Sequence, residues 1–220
     1  DETYPESFTD LVDLQSSVKD QGSRGVCSIF STVGLMEHLY IKEGTLQNPD
    51  FSEQYLQWSA KSEVGRFTNT SGSTARANLR AVANYGIPEE SVWPYEPFGW
   101  DSSDDPDCEG DDKPTKCYTN GGPPAEAEDA ELYHLPSGRY ISTRTDDIKA
   151  YMHSEEQAVV VGLDFFYQSW SHGGSQIPVD KSMFRKGYVP YPNETDKEKS
   201  LENRAGHSIL LVGWDDNAEI

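Results

Sequence analysis

The sequence predicts an α+β protein on three observations. Apolar residues recur at helical spacing through the first hundred positions, apolar strand-like runs appear in the last third, and an acidic, Gly- and Pro-rich stretch separates the two. At 220 residues the chain can form one large domain or two small lobes with a real core.

Residues 1–26 read as extended, broken by Pro5, Gly22 and Gly25. From Cys27 the pattern changes. Ile29, Phe30, Val33, Met36, Leu39 and Tyr40 mark a helix that begins at or beside Cys27 and stops at Gly44. A second helix spans 51–60 with Ser52 as its N-cap, and a third spans 74–85, ended by Gly86 and Pro88. Residues 97–131 lack apolar periodicity, and Cys108 with Cys117 would staple this solvated insertion. The remainder reads as strands: a short one at Tyr140-Ile141, then 158–163 and 208–214, with a long polar connection over 168–205.

Charge narrows the function classes. Against 38 Asp and Glu stand 18 Lys and Arg, a net −20. Nucleic acid and anionic membranes select basic patches, so neither is an expected partner. The 5 Trp, 12 Tyr and 8 Phe exclude disorder across the whole chain. No apolar run is long enough to span a membrane, and the polar start, Asp1 to Pro5, is no signal peptide. Two sequons, Asn69-Thr70-Ser71 and Asn193-Glu194-Thr195, are compatible with secretion. In the insertion, Asp105, Asp107, Glu109 and Gly110 match the start of an EF-hand loop, but its last ligand position holds Lys116. A solvated acidic loop is the better reading, and no metal is expected.

Cys27 is the odd cysteine. A thiol at a helix start sits among unpaired backbone N–H groups and the positive end of the dipole, which enrich the thiolate. Gly22 and Gly25 allow close approach of a substrate backbone. The amide of Gln21 and the Cys27 N–H would together form an oxyanion hole. A small buried thiol opening a core helix would give the same local pattern. Of the five histidines, His38 lies eleven residues along the same helix, about 16 Å away. His134, His153 and His172 lie in polar surroundings. His207 opens the apolar strand and can face a cleft, as an activating base or as a structural strand-end histidine.

Several segments then resemble the papain-like cysteine peptidases, the family of the cathepsins. Gln21-Gly22-Ser23-Arg24-Gly25-Val26-Cys27 is similar to the nucleophile segment, Phe51-Ser52-Glu53-Gln54-Tyr55-Leu56 to its L-S-E-Q-x-L element, and Trp93-Pro94-Tyr95-Glu96 to its Y-P-Y-E element. The run from Gly206 to Trp214 resembles the strand that carries the catalytic His. The resemblance implies a two-lobe fold, a helical lobe over 10–100 and a β-barrel-like lobe over 130–220 plus 1–9, with the acidic insertion at 101–129. It implies a thiol peptidase that needs no cofactor, with Cys27 as nucleophile, His207 as general acid/base and Gln21 as oxyanion donor. Gly72, Gly25 and Gly206 would line the substrate. A secreted or lysosome-like zymogen, protein or peptide substrates, and a propeptide or protein inhibitor as partner follow from the same likeness. A silent peptide-binding module and a transpeptidase or amidase are the rivals.

The departures from the family pattern are concerted. Arg24 stands where the family has a Cys and Ser28 where it has an aromatic, and the remaining disulfide positions fall at Ser59 and near Thr70. This lobe must therefore be held by packing, and Arg24 would set a positive charge near the thiol. The 180-residue spacing from Cys27 to His207 exceeds the roughly 130–150 of the family, in line with the two polar stretches. The family's catalytic Asn lies in an N-S-W segment; Asn217 lacks that context and is not assigned, which leads us to expect a heavy-chain portion whose light chain carries the Asn.

Overall fold

The computed structural model describes residues 4–172 and 186–218. The chain divides into two compact units, Asp1–Val161 with Ile209–Ile220, and Gly162–Ser208.

In the first unit, α1 (Cys27–Lys42) is the central element. Ile29, Val33 and Met36 pack with Phe51, Leu56, Ala81, Val82 and Ile87 in one core cluster. Leu35, on another side, packs with Phe8, Leu11, Met152, Ala158 and Val159 in a second. A helix buried on several faces needs small or paired polar residues there, and Ser28, Ser31, Thr32, Glu37 and His38 are all buried. α2 (Glu53–Ser62) starts at Ser52, whose hydroxyl accepts the Tyr55 N–H, and α3 (Ala75–Tyr85) starts at Thr74, whose hydroxyl accepts from Ala77. Gly86 ends α3 at φ +72°, with the ring of His134 packed where a Cβ would stand. All three helices match the sequence reading to within two residues at either end.

The later segments hold more helix than the sequence reading allowed. The insertion folds α4 (Thr115–Thr119), whose Cys117 and Thr119 are buried. α5 (Thr145–Glu155) lies where strands were expected, and no strand forms at Tyr140-Ile141. Within the long polar connection, 173–185 fall outside the described residues, and α6 (Glu194–Glu202) starts at an Asn193 cap. The strands are β1 (Ser7–Phe8), β2 (Val159–Asp164), β3 (Gly206–Leu211) and β4 (Trp214–Asp215). β1 and β4 pair antiparallel, Phe8 opposite Trp214, and β2 pairs with β3.

A part-buried lysine and a buried histidine fasten the segment leading to Cys27. Lys19 bridges Glu37 of α1 at 2.7 Å, Glu53 of α2 at 2.9 Å and Asp50 at 2.7 Å. The carboxylates raise its pKa, while burial raises that of Glu53 to about 8. His38, fully buried, accepts the Ala158 N–H at Nε2. Its proton therefore sits on Nδ1, 3.1 Å from the Leu14 carbonyl. Burial lowers its pKa.

A lowered histidine pKa costs stability in acid. Above pH 6.5 the imidazole is neutral in both states; below it the unfolded chain takes up a proton that the folded site refuses. The urea-unfolding free energy should therefore decline as pH falls through 6.5. That part of the decline should vanish in His38→Gln; an unchanged pH slope would refute the assignment.

Candidate active site

Cys27 is the first residue of α1, half-buried and free. Its N–H belongs to the first turn, which has no intrahelical acceptor. The approach to it is a tight loop. Gly22 adopts φ +61°, and the Arg24 carbonyl accepts the Val26 N–H at 2.9 Å. Gln21 is fixed at both ends: its Nε2 donates to the same Arg24 carbonyl at 2.8 Å, and its own carbonyl accepts the Tyr95 hydroxyl at 2.7 Å. The amide retains a second N–H beyond the one given to Arg24.

The loop carrying Gly72 lies across from Gly25. A Cβ built on Gly25 would stand 3.7 Å from that of Ser71. Lys61, buried on α2, donates to the Gly72 carbonyl at 2.9 Å, and Gln57 donates to the Ser71 carbonyl at 3.0 Å. The hydroxyls of Ser73 and Ser28 are 2.7 Å apart, Ser73 donates to Asn78 Oδ1, and Asn78 Nδ2 donates back to the Ser28 carbonyl at 2.9 Å. Ser28, standing where the family has an aromatic, thus joins α1 to this segment and to α3.

Arg24 corrects an expectation. Its guanidinium is buried and turned to the lobe's own polar groups. Nη1 donates to Gln54 Oε1 at 2.9 Å and to the Glu96 carbonyl at 2.6 Å, Nη2 to the Tyr118 carbonyl at 3.0 Å, and the cation lies 5.4 Å from the Tyr95 ring centre. Packing alone does not hold this lobe; a polar network stands where the family places disulfides. Ser59, at one of those positions, is fully buried.

His207 opens β3 in the second unit, with Gly206 exposed beside it. The ring of Trp170 meets it edge-on with centres 4.7 Å apart, and Phe165 lies at 5.6 Å. Burial lowers its pKa. Gln21, Gly25, Cys27 and Gly72 belong to the first unit; His207 and Gly206 belong to the second and are placed by their own surroundings. His134, His153 and His172 are exposed, as read from the sequence. Asn217 donates to Glu6 Oε2 at 3.2 Å, consistent with leaving it unassigned.

In the insertion the Cys108–Cys117 disulfide forms, with Cα atoms 5.5 Å apart. Lys116 Nζ sits 2.7 Å from both Asp105 and Asp107, filling the place a cation would take. The residues that sequence reasoning missed are Gln54, Gln57, Lys61, Asn78 and Trp170. A signal existed for three of them: positions 54, 57 and 61 follow one another at three- and four-residue steps, which puts polar side chains along one face of α2.

The family profile described as papain family cysteine protease matches residues 5–220. No individually curated relative matches by sequence. Among solved structures the chain is similar to xylellain, a cysteine protease from Xylella fastidiosa, at 20% identity and TM-score 0.69, covering 97% of this chain and 71% of that one. It is similar to the cysteine protease and lectin-like domains of a surface layer associated protein of Clostridium difficile, at 16% identity and TM-score 0.60, over 99% of this chain and 40% of that one. A procathepsin B from Trypanosoma congolense matches at 18% identity and TM-score 0.60, over 96% of this chain and 63% of that one. The chain thus spans less than two thirds of the last two.

Lys61 gives a checkable outcome. Burial and the nearby charge of Arg24 lower its pKa to about 8. Below pH 8 it is charged in both states and the burial cost is present in full; between 8 and 10.5 only the unfolded chain keeps the proton, so stability rises with pH. The rise should be on the order of 3 kcal/mol, and denaturant titrations should find it missing in Lys61→Met.

Proposed function

The chain belongs to the papain family of cysteine proteases, and from that premise we propose that it is a thiol-dependent peptidase, an endopeptidase, working through Cys27 and His207. The observation that carries the reading is the free, half-buried thiol at the first position of α1, beside a glutamine fixed at both its carbonyl and its amide. In the reaction the Cys27 thiolate adds to the peptide carbonyl. Negative charge then grows on the carbonyl oxygen, and the Cys27 N–H with the second N–H of Gln21 receives it. His207 takes the thiol proton and passes it to the leaving amine, and water then hydrolyses the acyl-enzyme.

The substrate backbone runs extended along Gly72 and Gly25, where the absence of side chains permits close approach, with Gly206 beside the histidine. The edge-on Trp170 shields one side of the imidazole, which favours a fixed ring orientation. We read 10–100 as the helical lobe and 130–220 with 1–9 as a β lobe of barrel type. Ile209 to Val212 are only half-buried, which supports further strands on a light chain or segment that also brings the third polar residue, the family's Asn. The partners are protein or peptide substrates and a propeptide or protein inhibitor. A secreted or lysosome-like setting accords with the disulfide and with the exposed Asn69 sequon. Among the described residues no helix is long and apolar enough to cross a membrane.

The test is labelling with an epoxysuccinyl thiol trap alongside turnover of a peptide library. Labelling should require Cys27 and disappear in Cys27→Ala; turnover should fall by about 100-fold or more in His207→Ala and Gln21→Ala. Labelling without turnover would favour a silent peptide-binding module. Turnover only with an added amine acceptor would favour a transpeptidase, and no Cys27-dependent labelling would end the enzyme reading.

A further inference from the structure

Arg24 is, with Ser28, one of the two residues beside Cys27 at which this chain departs from the family pattern, and its surroundings give it a role. Its backbone carbonyl accepts two donors, the Gln21 side chain at 2.8 Å and the Val26 N–H at 2.9 Å. The first fixes the candidate oxyanion donor, and the second forms the last turn before Cys27. Its side chain is 5% exposed and reaches three other segments: Gln54 on α2, the Glu96 carbonyl, and the Tyr118 carbonyl on α4. Tyr95, under the guanidinium, closes the figure by donating its hydroxyl to the Gln21 carbonyl. Gln21, Arg24 and Tyr95 thus form a ring of contacts in which every link passes through Arg24 or ends on Gln21.

Planar geometry makes an arginine suited to this place. A guanidinium offers donors in fixed directions on one rigid plane, and here it meets a side-chain amide oxygen and two main-chain carbonyls from separate segments. A lysine has one rotatable head and cannot meet all three in the same directions. The acceptors are uncharged, so the arrangement fixes position rather than pairing charge.

We propose that Arg24 is the positioning residue of the oxyanion loop, holding Gln21 and the Cys27 N–H in the geometry that receives the developing oxyanion. This rests on the peptidase reading above. Arg24 touches no reacting atom; it acts through Gln21 and the turn into α1. Loss of that geometry lowers the rate of the chemical step and leaves ground-state binding along the Gly72 wall in place.

The experiment compares Arg24→Lys and Arg24→Met, each alone and combined with Gln21→Ala, in the full chain, with folding checked by circular dichroism. Three readouts are taken: kcat and KM for a peptide, the inhibition constant of a peptidyl aldehyde, whose tetrahedral adduct puts an oxyanion in the hole, and alkylation of Cys27 by iodoacetamide, which needs no such hole. In Arg24→Lys, kcat should fall by about 10- to 100-fold and the aldehyde should weaken by a similar factor. KM should change less than about threefold and the alkylation rate should hold. On the Gln21→Ala background the same substitution should cost little more, because both changes act on one interaction. A folded Arg24→Lys with unchanged kcat overturns the proposal, as does a full additive loss with Gln21→Ala. An alkylation rate that falls in step with kcat also overturns it, since that marks a general loosening of the loop. A wild-type protein that cleaves nothing would overturn the peptidase reading and this proposal with it, whereas an active wild type with an indifferent Arg24→Lys overturns this proposal alone.

Discussion

A buried guanidinium holds together the part of the molecule that carries the free thiol, Cys27. Arg24 ties the loop before Cys27 to α2, to the segment at Glu96 and to α4. The rest of the network repeats the device along one face of α2. Gln54 donates to the Thr119 carbonyl, Gln57 to those of Ser71 and Tyr118, and Lys61 to that of Gly72. A disulfide stabilises largely by restricting the unfolded chain, so it tolerates imperfect surroundings. A polar network acts only in the folded state and is costly wherever a group is left unpaired. Of the four buried side-chain polar atoms without a partner among the described residues, Arg24 Nε and Gln57 Oε1 belong to this network; the others are Ser59 Oγ, also on α2, and Glu90 Oε2. A lost partner in this network leaves a buried polar group unpaired, which is costly.

The one disulfide among the described residues serves the same network from outside. Cys117 is fixed to Cys108, and the next two carbonyls along the chain, Tyr118 and Thr119, accept from Arg24, Gln57 and Gln54. The insertion is thus more than solvated charge. Its short helix presents acceptors to α2 and to the loop before Cys27, while Asp105 and Asp107 are partly neutralised by Lys116. It supplies −8 of the chain's −20, leaving −12 on the other residues.

How much of this was legible follows from where the partners sit. α1, α2 and α3 were readable because apolar periodicity, Ser52, Thr74 and Gly86 all act locally. α5 was not: it starts at Arg144 without a side-chain cap, buries only Met152, and ends at Glu156 in a left-handed conformation that composition does not announce. α6 has its Asn193 cap, but it buries Asp196 and Ser200 and so shows no apolar stripe. The candidate site divides in the same way. Cys27, Gln21 and Gly25 stood out in the local pattern, Gly72 and Gly206 only through the family resemblance, and Arg24 through its departure from the family pattern. Its role did not, because its acceptors lie 30, 72 and 94 residues away. The charge on Arg24 led to an electrostatic reading of the thiol, when the planar directionality of its donors was the property in use.

The acceptors also decide how the site meets acid. Lys19 holds the approach segment through three acidic side chains, Glu37, Asp50 and Glu53. Arg24 and Lys61 meet carbonyls and an amide, which do not titrate in that range, and both cations stay charged as pH falls. The loop before Cys27 and the segment at Gly72 are thereby held by contacts that do not depend on a carboxylate. His38, at the join of Leu14, α1 and Ala158, resists a proton because it is buried. The contacts nearest Cys27 are thus the ones whose acceptors carry no titrating proton.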